Sequence, residues 1–332
     1  MIAFPRSTFT PLLLLGALIA AVPAFAQQTA VPATAPAAPL LTPAIPGVVA
    51  AGTPVQLIRE GFQGTEGPVT LPDGSLIFTE TQASRITRIA ADGSISTFLD
   101  NSNGSNGLGF NPRGELISVQ TVKPQVGVVH PPAGVKVLAA EYQGQPFGRP
   151  NDLVVSSKGG VYFTDPGVAP QAGQPPQPKP AVYFISPQGK LSRLAIELAR
   201  PNGIQLSPDE KLLYVANTLG EHVLAYDIAA DGTVSGERRF ARLSGWSRSD
   251  TGVSSSGADG LAVDAQGRLY VASNAGIEVF AASGDALGVI PLPKKPQNLA
   301  FAGPDKRTLY LVGRGAAYRI AVQTPGFGGR AK

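Results

Sequence analysis

The sequence predicts an all-β fold: a six-bladed β-propeller of four-stranded blades, its ring closed by an N-terminal strand joining the last blade. Three observations carry this. One motif recurs six times at the period of a propeller blade, turn residues are abundant while helical periodicity is absent, and one spare β-rich stretch precedes the first repeat.

Ahead of the repeats, residues 1–26 read as a secretory signal. Arg6 supplies the positive charge, residues 12–22 are apolar, and Ala24-Phe25-Ala26 is a small-x-small cleavage site before Gln27. The apolar run is too short to cross a bilayer, and no later stretch reaches the roughly 18 apolar residues a membrane helix needs. The expectation is a periplasmic or secreted protein without a membrane span, cleaved after Ala26. Residues 27–51, almost wholly Ala, Pro, Thr, Val and Leu without charge or period, read as a flexible Ala/Pro-rich tether, the alternative being a short segment lying on the folded body. The propeller is expected over 52–325, with a tail at 326–332.

Each repeat opens with an acid or amide, continues as a short apolar strand, turns at a polar stretch and rises in a second β-rich strand. The copies are Glu66-GPVTLPDGSLIFTE, Asn106-GLGFNPRGELISVQ, Asn151-DLVVSSKGGVYFTD, Asn202-GIQLSPDEKLLYVAN, Asp259-GLAVDAQGRLYVAS and Asn298-LAFAGPDKRTLYLVG, spaced 40, 45, 51, 57 and 39 residues apart. That period suits a four-stranded blade with loops of varying length. In the first unit, strands are expected at 68–71, 75–80, 85–90 and 94–99, with Asp-Gly turns at Asp73-Gly74 and Asp92-Gly93. The sixth unit offers strands at 299–301, 308–312 and 317–322 and no fourth, while a β-rich stretch at 55–59 stands unassigned. Pairing the two closes the ring and removes two open edges. A β-sandwich leaves six copies in register unexplained.

Composition excludes several function classes. The chain is 43% hydrophobic and 15% charged, with 39 Gly, 31 Pro and a formal charge of +4. Its Lys and Arg are scattered along the sequence, which argues against nucleic acid as a partner. Having no cysteine, it has no disulfide, thiol nucleophile or thiolate metal site. With two histidines, His130 and His222, and no Gly-x-Ser-x-Gly elbow, a Ser-His-Asp hydrolase is not supported. His222 reads as a strand residue and His130 as a loop residue. Trp246, in the Gly- and Ser-rich stretch 244–257, is either a pocket roof or a partly buried anchor.

In a propeller the first strand of each blade lines the central channel, so the six opening residues should face the axis at one mouth. Glu66, Asn106, Asn151, Asn202, Asp259 and Asn298 all carry a carbonyl or carboxylate oxygen, although Asp, Glu and Asn make up only 32 of 332 residues. Asn-Gly and Asp-Gly are also ordinary turn formers. Hairpin turns here fall elsewhere, however, at Asp73-Gly74 and Pro208-Asp209. A ring of hard oxygens with two carboxylates suits a divalent metal, Ca²⁺ first, with Zn²⁺, Mn²⁺ or Mg²⁺ as alternatives. The far ends of the second strands place Glu80, Asp165 and Asn217 near the same mouth, where they either support the ring or face substrate, or are solvated.

The strings EGPVTLPDGSLIF, RPNDLVVSSKGGVYFTDP, RPNGIQLSPDEKLLYVANT and ADGLAVDAQGRLYVAS resemble the senescence-marker-protein/gluconolactonase/luciferin-regenerating-enzyme family, in order and over residues 61–320. Paraoxonases and diisopropylfluorophosphatase, calcium-dependent propeller hydrolases, are its relatives by fold. The resemblance implies a metal held by Glu66, Asn202 and Asp259, with Asn151 on the ion or the substrate and Arg149 on the substrate. Asn106, from its ring position, joins Arg149 and Asn151 as a substrate-binding candidate. One departure stands out: many bacterial members carry a Cys-Glu-His run where this chain has Ser118, Val119 and Gln120, and the loop 121–125 differs too. Sugar specificity is therefore not carried over.

The expected activity is hydrolysis of a small lactone or ester. The metal polarises the carbonyl, water attacks, and Asp259 and Glu66 are the catalytic carboxylates, with Asp152 and Asp165 as other candidate bases. A monomer or weak homodimer is expected. Two rivals are a phosphotriesterase or arylesterase on the same site and a non-enzymatic ligand-binding propeller. Strictosidine-synthase-like proteins lack the full metal set, so Glu66 with Asp259 counts against them.

Overall fold

The structure, a computed structural model, describes residues 1–4, 39–169, 178–194, 196–248, 250 and 252–332. Residues 5–26 of the expected signal and 27–38 of the expected tether lie outside these.

Six four-stranded antiparallel sheets follow one another along the chain. Blade 1 consists of Thr65–Thr70, Leu76–Glu80, Arg85–Ile89 and Ile95–Leu99. The innermost strands of blades 2 to 6 are Ser105–Phe110, Leu153–Val155, Pro201–Leu206, Leu261–Val263 and Asn298–Ala302. Each innermost strand touches those of both neighbouring blades, and blade 6 returns to blade 1. This is a six-bladed propeller. Its closure is the expected one, with Gln56–Glu60 pairing antiparallel to Ala316–Ala321 as the outer strand of blade 6. Among the described residues the only helical turn is a 3₁₀ turn at Pro132–Gly134, and no helix is long and apolar enough to cross a membrane.

Because each blade is sandwiched between two others, its inner strands bury both faces. Leu76–Glu80 is buried at every position, whereas the outer strand Ile95–Leu99 is half open. The core accordingly lies between blades. Leu76 and Phe78 of blade 1 meet Ala300, Tyr310 and Val312 of blade 6, and Ile117 and Val119 of blade 2 meet Phe163 and Tyr183 of blade 3.

Two boundaries differ from the sequence reading. Residues 39–51 are not a free tether: Ile45, Val48 and Val49 are buried in one cluster with Ile277, Ile290 and Leu311. The Gln323 N–H donates to Val48 O at 2.8 Å. An average over Ala and Pro conceals three branched side chains, each worth about 1.5–3 kcal/mol once buried. At the other end, residues 326–332 are no loose tail but lie across the lower mouth of the channel. Phe327 N–H donates to Val263 O at 3.1 Å, and Thr70 N–H donates to Ala331 O at 2.8 Å. Arg330 Nη2 donates to Leu206 O and Ser207 O at 2.6 and 3.0 Å.

Candidate functional site

The six ring residues stand at the upper ends of the innermost strands, and their local backbone falls into two kinds. In blades 1, 2 and 4 the ladder between the first two strands shifts register at Glu66, Asn106 and Asn202. In blades 3 and 5 the strand starts only after Asn151 and Asp259. A bulge or an unpaired start frees a side chain from the alternation of the ladder and turns it toward the axis. Asn298 is different, since it pairs with Val312 in an unbroken ladder.

The glycines that follow Glu66, Asn106, Asn202 and Asp259 are not turn formers. A Cβ on Gly107 would sit 2.7 Å from Asp152 Cα, and one on Gly67, Gly203 or Gly260 would strike Asn106 O, Asp259 O or Asn298 Oδ1. The neighbouring blade's ring residue, or Asp152 beside it in the case of Gly107, occupies that space, so glycine is what lets the ring contract.

Hydrogen bonding then separates the six. Glu66 accepts from Gln297 Nε2 at 3.0 Å and Asn298 Nδ2 at 3.3 Å. The Asn298 oxygen is taken by Leu299 N–H at 2.9 Å, so this residue holds Glu66 in place. Asn202 Nδ2 donates to Thr218 Oγ1 at 3.1 Å, and Thr218 Oγ1 donates to Ala258 O at 2.9 Å. Asn151 is half-buried, and its backbone bridges blades by accepting Gly107 N–H at 2.9 Å. Three buried oxygens, Asn106 Oδ1, Asn202 Oδ1 and Asp259 Oδ1, have no hydrogen-bond partner. Each such group costs about 1–3 kcal/mol.

Orphaned hard oxygens beside two carboxylates are the donor set a divalent cation satisfies, so the residues fit the metal the sequence implies. Electrostatics agree. Burial, above all, pushes the Glu66 carboxyl up to about 7, against the hydrogen bonds from Asn298 and Gln297. Asp259 is held well above the usual carboxylate range by burial and then by Glu66.

The second-strand ends pin the loops that lead into the ring. Glu80 accepts Gln63 N–H at 2.8 Å and is otherwise engaged by Arg85 and Thr87. Asp165 accepts the N–H groups of Gly148, Arg149 and Gly167 at 2.7, 2.8 and 2.9 Å. Asn217 accepts Arg200 N–H at 3.2 Å. Asp152, buried below the ring, is ion-paired at 2.6 Å to Lys332, itself buried. Gln297, Thr218 and Lys332 escaped the sequence reading, since none of them stands at a strand position that the repeat singles out from blade to blade.

His222 opens a strand of blade 4, as expected, whereas His130, read as a loop residue, closes the strand Gln125–His130 of blade 2, its ring tilted against Phe98 with centroids 5.0 Å apart. Trp246 is 39% exposed, so the larger part of its side chain is covered. Cavities of about 720 and 740 Å³ open on the lower face on either side of residues 327–331, lined by Tyr162, Phe184 and Phe327 and by Phe98, Phe110 and Arg330. Their linings include no ring residue, so chemistry rather than volume marks the site.

Comparison with known proteins agrees with this geometry. Residues 64–313 match a family model described as SMP-30/Gluconolactonase/LRE-like region. A gluconolactonase from Zymomonas mobilis subsp. mobilis is 29% identical over 307 residues, covering 86% of each chain. The solved structure of a gluconolactonase from Xanthomonas campestris is 27% identical with a TM-score of 0.73, over 86% of this chain and 94% of that one. A calcium-binding protein, regucalcin, from Agrobacterium tumefaciens shares the fold at 18% identity, with a TM-score of 0.66 over 82% and 95% of the two chains.

Proposed function

The chain belongs to the SMP-30/gluconolactonase/LRE-like family, and from that premise we propose that it is a metal-dependent lactonase whose centre is the ring of blade-opening residues. The observation that carries this reading is the set of three orphaned oxygens beside Glu66. Glu66, Asn106, Asn202 and Asp259 would hold the metal, Ca²⁺ first, with Asn151 at its edge. Asn106 thereby moves from substrate contact to donor. When bound, the ion supplies Lewis-acid polarisation of the lactone carbonyl and stabilises the charge that develops on its oxygen.

The protein's own groups do the rest. Asn298 and Gln297 fix both oxygens of Glu66, and Thr218 turns the Asn202 amide so that its oxygen faces the axis. Asp259 takes the proton of the water that adds to the carbonyl carbon. The ring C–O bond then breaks, the proton passes to the departing alkoxide, and a hydroxy acid leaves. Arg149, its backbone anchored by Asp165, steadies substrate oxygens.

The test is metal analysis of purified protein with a lactone panel read by acid release. Chelation should abolish turnover and Ca²⁺ should restore it. Hydrolysis indifferent to chelator would reject the mechanism, and activity confined to phosphotriesters or aryl esters would reassign the substrate. Export, which rests on residues 1–26, predicts a mature N-terminus at Gln27.

A further inference from the structure

The blades do not begin only with oxygens; three of them begin with a cation followed by proline. Arg149-Pro150 precedes Asn151, Arg200-Pro201 precedes Asn202, and Lys295-Pro296 precedes Gln297-Asn298. All three prolines are buried, while Arg149 and Arg200 are exposed and Lys295 is half-buried. A buried proline fixes its own φ and holds the residue before it extended, so each cation is fixed just outside the ring.

The backbones are pinned as well. Arg149 N–H goes to Asp165 at 2.8 Å and Arg200 N–H to Asn217 at 3.2 Å. A fourth cation, Arg314, donates its N–H to Gln297 Oε1 at 2.8 Å, and the same Gln297 donates to Glu66. The Lys295 ammonium lies against Gly257, two residues before Asp259. Its pKa is lowered by burial and further by Arg314 and Arg200, with Asp259 opposing, so three of these cations share one field with the ring carboxylate. Among the described residues none of the four has an acidic side chain within salt-bridge distance.

The charge balance gives this collar its meaning. Glu66 and Asp259 match a divalent ion, and Lys332 matches Asp152. The positive charges of Arg149, Arg200, Lys295 and Arg314 are left for whatever the mouth receives. Resting on the lactonase reading, we propose that the site selects anionic lactones, bearing a carboxylate or phosphate outside the lactone ring, and that Arg200, Lys295 and Arg314 are the residues that select them. The carbonyl goes to the oxygen ring while the anionic group meets the collar. A rim of one sign also raises the local concentration and capture rate of opposite charge.

Three lactones test this at low ionic strength with Ca²⁺ present: glucono-δ-lactone, its 6-phosphate, and a glucarolactone with a free carboxylate. The expected kcat/KM for at least one charged lactone exceeds that for the neutral one by at least about tenfold. The preference shrinks as salt shortens the screening length to about 10 Å at 0.1 M. In the variant R200Q/K295M/R314Q the ratio falls to within about threefold of one. R314Q alone, at an exposed position, gives a partial fall should the triple variant fold poorly.

Which charged lactone is preferred tells phosphate recognition from carboxylate recognition. Equal turnover of neutral and charged lactones overturns the proposal, as does an equal loss on all three in the variant, which would mean that the collar only stabilises developing charge. If no lactone is turned over, the lactonase reading is what fails. Calorimetry of 6-phosphogluconate against gluconate then decides the collar: tighter binding of the former by wild type and not by the variant supports it, and equal binding overturns it.

Discussion

Asp152 and Asp259 occupy the same channel and meet opposite fates. Below the ring, Asp152 is finished: one oxygen accepts Leu153 N–H at 2.9 Å and the other the Lys332 ammonium at 2.6 Å. At the ring, Asp259 Oδ1 accepts nothing, and neither do the side-chain oxygens of Asn106 and Asn202. The lower half of the channel carries its own cation as a side chain, whereas the upper half leaves side-chain oxygens unpaired, which is what the proposed metal site requires. Burial by itself does not distinguish a structural carboxylate from a functional one, but the state of its partners does.

The largest effect is expected from striking the unfinished half. Asp259→Asn should abolish turnover and weaken Ca²⁺ binding at least about a thousandfold, or ~4 kcal/mol, read by calorimetry. Retention of near-native affinity would remove the ring from the account. Striking the finished half should act on folding instead. Lys332→Met leaves Asp152 buried without a countercharge and should cost about 4 kcal/mol in urea unfolding, most of it recovered in D152N/K332M. A Lys332→Met protein as stable as wild type would erase the contrast between the two halves.

The comparison sharpens with pH. Glu66 is raised to about 7 in the folded, metal-free protein against an ordinary value of 4.5. Between those values the folded state binds the proton more tightly than the unfolded chain. The stabilisation is therefore fully present below about pH 4.5 and is lost as pH rises toward 7, by on the order of 3 kcal/mol. The melting temperature of chelator-treated protein should fall from pH 5 to pH 8 and be restored by Ca²⁺, with the fall smaller in Glu66→Gln, where Asp259, the remaining ring carboxylate, still carries a raised pKa. A metal-free protein that gains stability over that range contradicts the burial of Glu66.

What the sequence made legible follows the same division. The repeats disclosed the blades, the closing strand and the ring positions, because a propeller uses the same residue class at the same place in each blade. They could not disclose that Asn298 differs from the other five, since its unbroken ladder and occupied oxygen depend on Leu299 standing where four blades have glycine. The register of the first strand was also hidden: Glu66 lies within Thr65–Thr70, at a bulge no propensity marks. Residues 39–51 and 326–332 read as tether and tail because their contacts are singular, so no period announces them. The cations were legible as residues yet seemed scattered, since only ring closure brings positions 149, 200, 295 and 314 to one mouth.

The smallest effect is expected one bond away from the ring. Thr218 accepts from the Asn202 amide and donates to Ala258 O, just ahead of Asp259, so a single hydroxyl orients two ring positions from adjacent blades. Thr218→Val keeps the shape and removes both bonds. The freed Asn202 amide can then rotate, and Ca²⁺ affinity should fall about tenfold, the lower end of what outer-sphere partners contribute. Thr218→Ser, which keeps the hydroxyl and drops the methyl, should restore it. The discriminating reading is the pair of measurements on Thr218→Val: if the positioning role is real, metal affinity drops by more than the loss of metal-free stability accounts for. If only stability falls, Thr218 merely joins the two blades and Asn202 is aimed by its bulge alone.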